Sequence, residues 1–164
     1  MAELLVRGIA SIKIGDIETD GGMGTTLASL GSTYKDSASF IQEDATTSDW
    51  FSEEADDPID TDETPGKRIM KWSIVDFTAS TLIKIFGGTE ESGMWLAPDS
   101  SSGVEKSVEV KSRKSSKIEV TRMQLVPKFN IPLARGEMGR VDITGTVLKP
   151  TKSGEKAVRI GPYT

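Results

Sequence analysis

The chain has 164 residues, enough for one domain with a real core and too few for two comfortable ones. It contains neither cysteine nor histidine, which removes disulfides, thiolate metal sites, the commonest general base and every Ser–His or Cys–His pairing at once. The net charge of −5 is polarised: residues 1–105 hold 7 basic and 20 acidic side chains, whereas residues 106–164 hold 13 and 5. Halves of opposite sign attract each other within a fold or across two copies.

The start, MAELLVRGIASIKIGDIETDGG, has no basic leader and no apolar run of signal length. No segment approaches the roughly 18 consecutive apolar residues of a membrane span, so an aqueous compartment is expected. The first element is a strand, because Ala10, Ile12 and Ile14 alternate with Ser11 and Lys13. Residues 16–36 follow with four glycines and no sustained period, and are expected to form a long mobile excursion. Its GGMGTT segment is a poor phosphate cradle, since it fits neither glycine-rich motif and no helix follows. Ser39–Gln42 and Asp49–Phe51 are weaker strand candidates.

Residues 53–64 read EEADDPIDTDET, with Glu53, Glu54, Asp56, Asp57, Asp60, Asp62 and Glu63 and no compensating base. As a calcium loop the run fails: counted from Asp60, Pro65 stands where glycine is required and Lys71 where the bidentate glutamate belongs. As a glycosidase pair it lacks the apolar setting that raises one carboxyl pKa. A solvated acidic loop that attracts or repels other charged chains is the economical reading. No metal, cofactor or catalytic residue is expected.

Met70, Trp72 and Ile74 alternate with Lys71 and Ser73 in the next strand. TASTLIKIFGG, residues 78–88, is the one clear helix: Thr78 caps it, Leu82, Ile85 and Phe86 share a face, and Gly87 and Gly88 end it. At two to three turns it must lie against the sheet. APDSSSG, residues 97–103, reads as a turn. Val104, Val108 and Val110 form another alternating run, and Lys117–Leu125 begins in phase at Ile118 and Val120 and then slips to Met123 and Leu125. Such a slip marks a bulge or bend. The basic positions Lys111, Arg113, Lys114 and Lys117 lie around a hairpin tip and lack the interleaved aromatics of nucleic-acid readers. PKFNIPLARG, residues 127–136, carries two prolines and reads as a sheet edge or crossover. Val141, Ile143 and Val147 give another strand, with a weaker one at Ala157–Ile160. Trp72 belongs to the core, and Trp50 beside Phe51 is a candidate for a subunit contact. The fold class is mainly β, a single domain of sandwich or barrel type with one short flanking α-helix.

The order of these features resembles the major tail tube proteins of long-tailed bacteriophages. The resemblance is carried by DGGMGTTLASLGSTYKD after the first strand, by SASFIQEDATTSDWFSEEADDP, by KRIMKWSIVDF with TASTLIKIFGG, and by KIEVTRMQLVPKFNIPLARGEMGRVDITGTVLKP, spanning about Ile9 to Lys149. It implies a virion protein without catalytic residues, whose copies form stacked hexameric rings. Edges of neighbouring copies pair into a barrel through which DNA passes without specific binding. Other tail proteins would be partners, and the location would be the virion tail, with the host cytoplasm during assembly. The 16–36 excursion is the expected link between rings. The acidic segment would line the lumen or meet Lys111–Lys117 of an adjacent copy, the contact between copies being favoured. A monomeric β-sandwich module binding carbohydrate or peptide is the alternative, and an enzyme the third reading.

Overall fold

The computed structural model describes residues 3–100 and 103–163. Among these residues twelve strands and one helix follow in chain order: β1 Ile9–Gly15, β2 Ala28–Ser29, β3 Ser39–Gln42, β4 Thr46–Trp50, β5 Asp60–Thr64, β6 Arg68–Ile74, α1 Ala79–Phe86, β7 Thr89–Glu91, β8 Met94–Leu96, β9 Val104–Ser112, β10 Ser116–Asn130, β11 Arg140–Val147 and β12 Val158–Pro162. The fold is mainly β with antiparallel pairing and a single short helix. Of the turn expected at 97–103, Ser101 and Ser102 lie outside the described residues.

One large sheet carries the core, in the order β2-β1-β9-β10-β11-β6-β3, with β12 also paired to β10. Its organising element is β10. The first part pairs with β12, from Ser116↔Pro162 to Val120↔Val158, and the second with β11, from Met123↔Val147 to Asn130↔Arg140. Along its other edge the register with β9 shifts between Val120 and Met123. This shift is the bulge that the sequence phase predicts, and it keeps Ile118, Val120, Met123 and Leu125 all buried. Thr121, the extra residue, donates from Oγ1 to the Lys156 carbonyl at 2.8 Å, while its own carbonyl accepts from Ser107 Oγ at 2.7 Å. The bulge is therefore bonded on both sides although it lies in the core.

The inward rows are apolar. Ile12, Val110 and Ile118 are cross-strand neighbours, as are Ile14, Val108 and Val120. Farther along, Ile143 pairs with Trp72 and Val141 with Ile74. Trp72 is 1% exposed, as its in-phase position requires. Gly145 sits between Leu125 and Met70 because a Cβ there would meet Met123 Sδ at 2.2 Å.

Helix α1 follows its sequence signals closely. The Thr78 side chain accepts from the Thr81 N–H at 3.3 Å, and Gly87, at φ 81°, returns its N–H to Ile83. Leu82 and Ile85 are buried against the sheet. Phe86 stacks on Phe129 of β10 at 4.5 Å, and Trp95 of β8 tilts against both rings. That cluster also fixes the small β7–β8 hairpin, whose turn places Ser92 and Gly93 at positive φ.

The 16–36 segment is largely loop, as expected, and is tied along the body. Gly24 N–H donates to Ser107 Oγ at 2.9 Å, Glu18 accepts from Thr25, and Asp20 pairs with Lys152 at 2.8 Å. Then β2 joins β1, Leu30 enters the core, and Thr33 bridges to Ile74 on the far edge of β6. Residues 28–42 thus cross from one end of the sheet to the other and close it covalently rather than by a ladder. Glycines and short polar side chains let the backbone lie close to the body here, which hydrophobic periodicity does not reveal.

Candidate functional site: an acidic hairpin and a basic-rimmed cavity

The acidic segment is only partly a loop. Glu53, Glu54, Asp56 and Asp57 lie in the connection between β4 and β5, whereas Asp60, Asp62 and Glu63 form most of β5 itself. Aspartate is a poor strand former, and the register shows why the pairing is tolerated. Every acidic residue faces a neutral one across the ladder: Asp60 opposite Trp50, Asp62 opposite Ser48, Glu63 opposite Thr47, and Asp49 opposite Thr61. Thr61 Oγ1 donates to Asp49 at 2.8 Å, and Trp50 Nε1 donates to Asp62 at 3.0 Å.

This hairpin stands away from the rest of the molecule. Among the described residues its two strands pair only with each other, and every residue of both is exposed. Among the described residues no other helix or strand packs extensively against it. Its closed end is apolar as well as acidic: Trp50, Phe51 and Ile59 are 58%, 60% and 67% exposed.

The four basic positions singled out in the sequence are divided by the structure. Lys111 and Lys117 are cross-strand partners on the outer face of β9 and β10. Lys117 pairs with Glu119 at 2.9 Å, Lys111 lies 3.8 Å from Glu109, and Arg159 also reaches Glu119 at 3.3 Å. Their charge is largely spent within the chain. Arg113 and Lys114 occupy the turn between β9 and β10 and face elsewhere, onto the mouth of a cavity.

That cavity has a volume of about 880 Å³ and opens between β1 and β3. Ile9, Ile12, Phe40, Met70, Val110 and Ile118 give it apolar walls, and Arg7, Lys35, Arg113 and Lys114 stand around it with Asp36 the one acid. Two strand edges flank it. Among the described residues β2 pairs with β1 only at Lys13 and Ile14, leaving Ile9–Ile12 without a ladder partner on that side although the Ile9 carbonyl accepts from Arg113 Nε, and β3 pairs only with β6. Sequence reasoning did not find this site, because its walls come from segments more than 100 residues apart and none carries a motif.

A second apolar feature is also exposed. It lies on the connection from β10 to β11, where Leu133 is 98% exposed and Ile131 and Met138 accompany it. The proline-rich stretch feeding it is a sheet edge as expected, since β9 leaves β10 after Leu125 and only β11 pairs beyond.

The body's other charges are held in place. Arg122 pairs with Glu105 through two hydrogen bonds of 2.8 Å, and its hydrogen bonding and charge depress the Glu105 carboxyl pKa. Lys106 does the same to Asp16, Lys152 to Asp20, and the Ser32 backbone and hydroxyl to Asp76. Burial pushes the Asp142 carboxyl up, but hydrogen bonds from Ser73 and Asn130 and the charges of Arg140 and Lys128 bring it below the ordinary value. Among the described residues no three carboxylates gather as a metal site. The chain matches no model of a known protein family and no curated protein.

Proposed function

We propose that this chain is a structural protein that assembles with copies of itself, as a major tail tube protein does: six copies in a ring, rings stacked into a tube, and DNA conducted through the bore. The observation that carries the reading is the hairpin β4–β5. A two-stranded hairpin is at best marginally stable alone in water, and among the described residues no other strand or helix packs extensively against this one. It has the form of a contact element whose counterpart lies on another molecule. Heterologous contacts of that kind generate rings and open stacks.

The charge supports a conduit. DNA carries about one negative charge per 1.7 Å of duplex, so a bore lined by bases would hold it. In this chain the net charge is acidic, and Lys111 and Lys117 on the outer face of β9 and β10 lie beside Glu109 and Glu119. A non-catalytic role fits the carboxylates too, since the shifts resolved for them all run downward, away from the range of a general acid at neutral pH.

Negative-stain electron microscopy across a protein-concentration series tests the reading. Six-fold rings or hollow tubes of uniform bore are expected, and discrete monomers at every concentration would count against it. The cavity favours a second reading, a monomeric binding module, because about 880 Å³ lies within the range of small-ligand sites. A glycan and peptide screen on a monomeric sample would expose it.

A further inference from the structure

We propose that the acidic hairpin Thr46–Thr64 of one copy docks in the cavity between β1 and β3 of a second copy. Trp50, Phe51 and Ile59 enter the apolar interior, and the carboxylates around them meet Arg7, Lys35, Arg113 and Lys114. The proposal deepens the self-assembly reading and rests on it.

Three independent features of the two surfaces agree. The first is charge: residues 46–64 hold eight acidic side chains and no base, whereas the cavity mouth holds four bases and Asp36. Opposed fields of this kind steer encounter and fix register. The second is shape and polarity. Aromatic side chains bury about 150–250 Å² each when enclosed, so Trp50 and Phe51 are the anchors an interface needs, and the concave apolar walls are the pocket that anchors need. The third is backbone bonding. Both flanking strand edges have unused donors and acceptors, and the hairpin has two edges of its own, so insertion can extend the ladder by strand addition.

The competing receiver is the exposed connection at Leu133. It adjoins a single free strand edge, that of β10 beyond Leu125, where the cavity has two. The hairpin's own cavity is an equally poor candidate in this structure, since no residue of 46–64 lines it.

The absence of cysteine makes the test clean. Single substitutions Ile59→Cys, Ser39→Cys and Leu133→Cys are made in separate full-length chains, all at exposed positions. The Ile59→Cys chain carries a mass tag. It is mixed with each of the others at a concentration where the wild type is imaged in parallel, and a short bis-maleimide is added. Tagged–untagged pairs should accumulate at least several-fold more with Ser39→Cys than with Leu133→Cys, and 1 M salt should suppress them. Equal or greater yield with Leu133→Cys, or none with either, overturns the docking. Wild-type tubes without the Ser39→Cys product would leave the tube reading intact and refute the docking alone. The Ser39→Cys product without rings or tubes would establish the docking and refute the tube.

Discussion

Removing the hairpin should separate folding from assembly. Deletion of Thr46–Thr64 leaves Asp44, Ala45, Pro65 and Gly66 to join β3 to β6, whose ladder already extends to Glu43 and Lys67 through a 2.8 Å hydrogen bond. The connection shortens from 23 residues (44–66) to four, a hairpin loop length that β-strands readily use. Loop-closure entropy scales as (3/2)RT ln n, so the deletion stabilises the body by up to about 1.5 kcal/mol. Little offsets this, because an unsupported two-stranded hairpin contributes close to nothing. Trp72 and Trp95 remain as fluorescent reporters of the core, and Trp50, the exposed one, is gone. Urea unfolding followed by that fluorescence should therefore show a midpoint equal to or above the wild type. Rings and tubes should be lost. A fall in stability of more than about 1 kcal/mol would mean that the hairpin supports the body and would refute the reasoning.

Other outcomes follow from the same structure. Gly145→Val places side-chain atoms where Met123 Sδ already stands and should destabilise by about 1–3 kcal/mol or more in the same urea assay. Glu105→Gln removes the paired carboxylate of Arg122, at a cost of at most about 1 kcal/mol for a surface pair. Because the folded pKa of Glu105 is lowered, that difference should be full above the ordinary glutamate pKa and shrink as pH falls through and below about 4. Assembly should weaken as salt rises. Light scattering that stays unchanged up to about 1 M, where the screening length is roughly 3 Å, would contradict an electrostatic contact.

The legible parts of the fold are those where one face is buried. β1, β6, β9 and β11 announce themselves by alternation, and the bulge in β10 by a break in it, since each must put Ile, Val, Leu, Met or Trp side chains into the same core. Helix α1 adds its own cap and stop. β4 and β5 carry no such signature because both their faces meet water, so no hydrophobic period is imposed and acidic composition reads as loop. The Ser92–Gly93 turn signal flanks strands of only three residues, too short for a period to show. The basic cluster was visible as a cluster, but its division into two neutralised lysines and two cavity-facing residues depends on Glu109 and Glu119 lying beside it in register. The cavity itself had no local signal at all.

The placement of β10 at the centre of the sheet has a consequence for synthesis. β1 has only the two-residue β2 and β6 only the four-residue β3 to pair with until β9 and β11 follow, so most of the sheet's ladders wait for the last third of these residues. During that interval the emerged portion carries 20 acidic against 7 basic side chains, and like charge keeps such half-made chains from adhering to one another. The bases arrive with β9 to β12, at the moment the sheet can close. Repulsion is thereby relieved in the nascent chain at the same step that makes it competent to fold.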